Sequence, residues 1–159
     1  MVENIRKATE IDIPKISELL FEVQKVHSDV RPDLFRAGGK KYTDSKLKGI
    51  IESEKTPVFV YTEDGTILGY AFCIFKQEKN STSLTDIKTL YIDDLCVEKN
   101  ARGKHIGTKL YNFVLNFAKK SGCYNLTLNV WADNENAVKF YKAIGLGIQK
   151  IGMEKILEI

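Results

Sequence analysis

Between Asp12 and Val30 the apolar residues Ile13, Ile16, Leu19, Leu20, Val23 and Val26 recur at three- and four-residue steps, the stripe of an amphipathic helix. Asp12 is placed to cap that helix and Pro14 falls in its first turn. A short strand around Asn4 to Ala8 precedes it, and the segment Arg31 to Gly39 follows as a loop, opened by a proline and interrupted by paired glycines. Thr43 or Asp44 then caps a second helix, roughly Ser45 to Ser53, with Leu47, Ile50 and Ile51 on one side. Beyond it the pattern turns strand-like. Pro57 to Tyr61 and Ile67 to Phe75 are rich in β-branched and aromatic residues, and Glu63-Asp64-Gly65-Thr66 between them is a hairpin turn, so the two are expected as antiparallel neighbours. After the polar connection Gln77 to Asp86, Ile87 to Val97 reads as another strand. From Ile106 the positions Leu110, Phe113, Val114, Phe117 and Ala118 mark a third helix, which stops near Ser121-Gly122. Tyr124 to Val130 is a further strand. Asp133 or Asn134 caps a helix carrying Ala137, Val138, Phe140, Tyr141 and Ile144, closed by Gly145, and Gly147 to Leu157 reads as a last strand.

A strand, a crossover helix and a second strand in this order predict a parallel pair with right-handed connection, hence an α/β chain. With 159 residues, 43% of them hydrophobic, the chain supports one well-buried core, so a single domain over 1–159 is expected. The net charge of +3 arises from 24 basic and 21 acidic residues scattered along the chain. No block of like charge suggests a nucleic-acid arm, and mild basicity leaves a nucleic-acid role as the third-ranked reading. Cys73, Cys96 and Cys123 are widely spaced and the chain has two histidines, which gives neither a disulfide framework nor a metal site. The N-terminus lacks the apolar core of a signal peptide and no apolar stretch reaches a membrane span, so a cytoplasmic protein without membrane partners is expected.

The candidate chemistry lies where the Tyr91 to Val97 run gives way to Glu98-Lys99-Asn100-Ala101-Arg102-Gly103-Lys104-His105-Ile106-Gly107-Thr108. A strand runs here into a helix N-terminus whose free backbone N–H groups and dipole favour an anion, and glycine admits a phosphate close to the backbone. An ordinary strand-to-helix turn fits the same residues. Arg102, Lys104 and Lys109 suit a small anionic ligand, or form a solvated face. His27 reads as a packing or surface histidine.

Two segments in the expected order resemble the GCN5-related N-acetyltransferases. Arg102-Gly103-Lys104-His105-Ile106-Gly107 is similar to the family's acetyl-CoA motif, Arg or Gln followed by x-x-Gly-x-Gly/Ala, with His105 where glycine is usual. Histidine is among the residues that tolerate unusual backbone angles. Asn134-Glu135-Asn136-Ala137-Val138-Lys139-Phe140-Tyr141, with Gly145-Leu146 after it, resembles the family's Asn-x-x-Ala-x-x-aromatic-Tyr run and its trailing Gly-Phe. The resemblance implies the acyl-CoA N-acyltransferase fold: a mixed, splayed central sheet of about six to seven strands with about four helices. It implies acetyl-CoA as co-substrate, its pantetheine bonded to backbone of Leu95, Cys96 and Val97. The pyrophosphate is then expected on the N–H groups from Arg102 through Gly103, Lys104, His105, Ile106 and Gly107 to Thr108, with Asn134 helping to hold the pantetheine arm.

On this resemblance the catalytic candidates are Tyr141, as the acid that protonates the departing thiolate, and Asp93 and Asp94, as base or amine-binding carboxylate. Ile92-Asp93-Asp94-Leu95 is similar to the acidic pair of the family's polyamine acetyltransferases, whereas Asn129 stands where ribosomal-protein-type N-terminal acetyltransferases often carry glutamate. By strand alternation the two aspartates point to opposite faces unless a bulge intervenes; structural hydrogen bonding by either is the alternative. Cys96 reads as a buried thiol rather than an acyl-accepting nucleophile, because nothing places a histidine beside it. The expectation is an acetyl-CoA-dependent N-acetyltransferase that acts on a small primary amine, such as a polyamine or amino compound, by direct attack in a ternary complex. The alternatives are a catalytically degenerate acetyl-CoA-binding module or a protein or peptide N-acetyltransferase. A homodimer paired through the C-terminal strand is possible.

Overall fold

A computed structural model describes residues 4–158. The chain divides into two compact units, Met1–Asn129 and Val130–Ile159. The first holds a five-stranded sheet in the order β1-β2-β3-β4-β5, made of β1 (Ile5–Lys7), β2 (Val58–Glu63), β3 (Thr66–Gln77), β4 (Lys88–Val97) and β5 (Asn125–Leu128). Its helices are α1 (Ile13–Val30), α2 (Asp44–Glu52) and α3 (Ile106–Lys120), with short 3-10 turns at Glu10–Asp12 and Lys99–Ala101. The second unit contains α4 (Glu135–Ala143).

The strands pair antiparallel from β1 to β4, and β4 pairs parallel with β5 across α3, as the strand-helix-strand order requires. Asp64 and Gly65 both take left-handed angles, φ +50° and +78°, so the β2–β3 turn has the backbone twist that a two-residue hairpin favours. Val58 and Val60 join Ile16, Leu19, Leu20 and Leu47 in one core cluster, while the Phe59 ring meets Phe113 and Phe117 edge-on at 5.0 Å each. Both faces of β2 are therefore covered, and Val58 to Tyr61 is an unbroken buried run.

Gly69 on β3 sets how closely α3 approaches. A Cβ there would lie 2.9 Å from the Cys96 carbonyl oxygen and 3.0 Å from Leu110 Cδ1, both in tightly packed surroundings. Gly69→Ala is expected to cost about 1–3 kcal/mol by overpacking, lowering Tm by roughly 2–4 °C per kcal/mol. An unchanged melting temperature would show that this contact is slack.

Asp12 differs in its role from the expected helix cap. It stands at the N-cap position of α1 but makes no side-chain cap bond there. Instead Arg6 Nη1 and Nη2 donate to its two carboxylate oxygens at 2.7 and 2.9 Å, and the Thr9 N–H donates at 2.8 Å. The hydrogen bond from Arg6 holds the Asp12 carboxyl below its ordinary range, with burial opposing. A depressed carboxyl contributes stability that is complete above its unfolded pKa, about 3.9, and disappears as pH falls through the lower folded value. Asp12→Asn should therefore flatten the acid limb of the stability curve below about pH 4, read by denaturant titration at several pH values. An acid limb as steep as that of the unmodified protein would locate the proton linkage elsewhere.

Two expectations need correction. The sheet has five strands among the described residues, fewer than six to seven, because Gly147 to Leu157 forms no strand. Its apolar residues Ile148, Ile151, Met153, Ile156 and Leu157 fall at irregular steps instead of alternating, Gly147 and Gly152 add no side chain to pack, and these apolar residues are exposed. With that strand goes the ground for strand-mediated pairing of two copies. No helix among the described residues is long and apolar enough to cross a membrane.

Candidate active site

The β3–β4 ladder breaks register at one point. Phe72 pairs with Asp94 and Cys73 with Ile92, leaving Asp93 as the extra residue of a bulge. Alternation is thereby suspended, and both aspartates reach groups joined on the α1–α2 face of the sheet. Tyr42, from the loop before α2, donates its hydroxyl to Asp93 Oδ2, and its ring stacks on Phe72 at 5.8 Å. Tyr70 donates to Asp94 Oδ2 at 2.7 Å, and its ring meets Phe72 edge-on at 5.0 Å. Lys41 completes the cluster: its Nζ lies 3.0 Å from Asp93 Oδ1 and donates to the Asp93 carbonyl oxygen at 3.1 Å.

Burial pushes the Asp94 carboxyl above its ordinary range, against the hydrogen bond from Tyr70 and the charge of Lys41. Burial, and then the adjacent Asp93 carboxylate, raise the Tyr42 hydroxyl far enough to keep it a neutral donor. Burial likewise pushes the Cys96 thiol up to about 12, with the charge of Asp94 adding to it. At neutral pH Cys96 is a thiol, which agrees with a structural reading and not with a nucleophile. His27 stacks on Phe35 at 4.8 Å, and burial lowers its pKa, as befits a packing histidine.

Downstream, β4 outruns β5. Their pairing ends at Ile92 with Leu128, and no strand among the described residues continues beside Asp93 to Val97 on that side. Leu95, Cys96 and Val97 remain paired with β3 through Ala71, Tyr70 and Gly69, and no strand among the described residues pairs with their other edge. The chain then passes Lys99–Ala101 and Arg102 into Gly103, φ +91°, and His105, φ +61°, before α3 begins at Ile106. His105 adopts the left-handed angle expected for the missing glycine. Its side chain makes no capping bond, so the first-turn N–H groups of Ile106, Gly107 and Thr108 receive no cap from it. Residues Arg102 to His105 are exposed, while Ile106 and Leu110 are buried against Gly69 and anchor this turn. Lys104 pairs with Glu63 at 3.8 Å, and Lys109 lies over the Tyr61 ring at 5.8 Å, so both have partners on β2. Backbone donors outnumber side-chain cations at this turn, and that donor set, with an open glycine, fits a pyrophosphate.

In the second unit Asn134 caps α4, its Oδ1 accepting from the Ala137 N–H at 3.3 Å, and Tyr141 lies on the same helix with its ring 5.2 Å from Phe140. Lys41, Tyr42 and Tyr70 escaped the sequence reading. Tyr42 and Asp93 are 51 residues apart and Tyr42 belongs to no motif, so only the folded register joins them. Among the described residues no group of three or more metal-ligating side chains gathers.

The five-stranded mixed sheet, the β4 segment that outruns β5 and the glycine turn ahead of α3 make a fold of the acyl-CoA N-acyltransferase type. Residues 23–146 match the model of the acetyltransferase (GNAT) family, and the chain belongs to that family. It is 27% identical over 141 residues to an uncharacterised N-acetyltransferase of Methanocaldococcus jannaschii, a match covering 89% of this chain and 59% of that protein. This chain therefore spans about three-fifths of that relative. It is 28% identical to the thialysine N-epsilon-acetyltransferase of Bos taurus, covering 89% of this chain and 82% of the relative. Among solved structures, a mutant of the BH1408 protein from Bacillus halodurans superposes with a TM-score of 0.93 at 29% identity, covering 99% of this chain and all of that one.

Proposed function

We propose that this chain, acting as a single N-acetyltransferase domain, transfers the acetyl group of acetyl-CoA to a small primary amine by direct attack in a ternary complex. The observation that carries the reading is the composition of β4. Asp93 and Asp94 are followed at once by Leu95 to Val97, whose edge away from β3 pairs with no strand among the described residues, so the carboxylates would lie one or two residues, about 3–7 Å along the strand, from a pantetheine held there. Acetyl-CoA supplies an activated thioester when bound; this chain supplies the rest.

The backbone of Leu95, Cys96 and Val97 would hold the pantetheine, the N–H groups from Arg102 to Thr108 the pyrophosphate, and Asn134 would steady the pantetheine arm. A lysine-like amine has a pKa near ~10.4, so freeing its lone pair at pH 7 costs roughly 4–5 kcal/mol. Asp93, fixed by Tyr42, is the amine-binding carboxylate, which collects the ammonium and orients it. Asp94, whose affinity for a proton is raised by burial, is the better-matched acceptor for the proton that must leave. Tyr141 donates a proton to the departing sulfur. Support for amine acetylation comes from family membership and from the relative named for the ε-nitrogen of thialysine.

The test is thiol release from acetyl-CoA in the presence of polyamines, aminoglycosides, amino acids and short peptides, with calorimetry of acetyl-CoA binding on the same sample. Amine-dependent release is expected. Binding of acetyl-CoA without release on any acceptor would favour the degenerate binding module, and peptide-dependent release would move the acceptor to the protein class.

A further inference from the structure

The acceptor carboxylate is already engaged by a cation of this chain. Lys41 Nζ sits 3.0 Å from Asp93 Oδ1 and 3.1 Å from the Asp93 carbonyl oxygen, and the Tyr42 hydroxyl takes Oδ2. Two other cations of the same loop are turned to other partners, Arg31 to Asp33 at 2.9 Å and Lys40 to Asp44. The Asp93 side chain is 11% exposed and that of Lys41 42%, so the carboxylate is held in place while the ammonium stands at the solvent side of the pair on a flexible stem. An incoming ammonium that carries no anion must share or displace Lys41 and leaves two cations competing for Asp93. An acceptor with an anionic group of its own meets a different arrangement: its amine takes Asp93, its anion takes Lys41, and charges of opposite sign alternate around the site.

We propose that Lys41 is a specificity-determining residue that selects acceptors bearing a carboxylate on the same small molecule as the amine, as amino acids do, and disfavours simple polycations. The proposal rests on the reading of Asp93 as the amine-binding carboxylate. It narrows the small-amine class to amphoteric amines. Within that class Lys41 supplies the anion contact and Asp93 the amine contact, so removing Lys41 changes the ranking of acceptors and not merely their affinity.

The experiment compares matched pairs that differ in the carboxylate: L-lysine with cadaverine, and L-phenylalanine with phenethylamine. Calorimetric titration into the full chain saturated with CoA reads binding, and product analysis with acetyl-CoA reads transfer, for the unmodified protein, Lys41→Met and Lys41→Arg. In at least one pair the amino acid is expected to bind at least tenfold more tightly than its decarboxylated partner. Lys41→Met should abolish or reverse that preference, and Lys41→Arg should retain it. The proposal is overturned if the decarboxylated amines bind as well as the amino acids, if Lys41→Met weakens both members equally, or if neither member of either pair binds. Efficient acetylation of decarboxylated amines with no effect of Lys41 would overturn the selectivity and leave the transferase reading standing. Failure of acetyl-CoA itself to bind would instead remove the transferase reading.

Discussion

Tyr141→Phe is expected to lower kcat by about 10²–10³-fold while leaving acetyl-CoA affinity within about twofold of its original value. The departing CoA thiolate has a conjugate pKa near ~8.5 and a phenol near ~10, so transfer of the tyrosine proton to sulfur is uphill by about 2 kcal/mol. That is a small part of a catalysed barrier. Loss of the hydroxyl removes the proton source but keeps the ring, whose neighbour on α4 is Phe140 at 5.2 Å. Stopped-flow thiol release and calorimetry on the same preparation separate the two quantities. A kcat within threefold of the unmodified protein would assign the proton to water and Tyr141 to packing.

The second large effect is expected at Asp93. Asp93→Asn preserves the shape and the capacity to accept from Tyr42, yet removes the charge that gathers an ammonium and that balances Lys41. The expected result is a fall in kcat/KM for the amine of about 10²-fold, with KM for acetyl-CoA unchanged. Asp94→Asn offers an informative contrast. Burial raises the Asp94 carboxyl, so its contribution to stability is complete below its unfolded pKa, about 3.9, and declines as pH rises through the raised folded value. The Asp94→Asn protein should thus be no less stable than the unmodified one at neutral pH, measured by denaturant titration. Its turnover should nevertheless drop if Asp94 takes the amine proton. Equal loss of folding in both variants would reduce the acid pair to structural hydrogen bonding.

The elements that were legible in the sequence were those whose signals are local. Thr43 caps α2, its Oγ1 accepting from the Lys46 N–H at 3.2 Å, as a threonine before a helical stripe predicts. Asp64-Gly65 announces its hairpin, and the Leu110 to Ala118 stripe announces the helix that crosses between parallel strands. Gly147 to Leu157 misled because β-branched residues state a propensity, whereas a strand exists only where a neighbour accepts its hydrogen bonds. The site divides along the same line. The Arg102 to Gly107 turn could be located because its backbone angles are encoded in glycine and in a histidine that tolerates φ +61°. The partners of the acid pair could not. The bulge at Asp93 is a property of register against β3, and Lys41 and Tyr42 arrive from a loop with no periodic pattern. Asp12 carries the same lesson, since a residue in cap position was taken instead by Arg6, which no local rule pairs with it.

Incubation with carbon-labelled acetyl-CoA and the amine panel, followed by mass analysis of the small molecules, tests the central claim most directly. The account predicts a product that gains one labelled acetyl group on nitrogen, formed in proportion to CoA released and lost together with the Tyr141 hydroxyl. CoA release that occurs without any labelled amide, at the same rate with and without amine, would mean that the chain hydrolyses or merely binds the thioester and would contradict it.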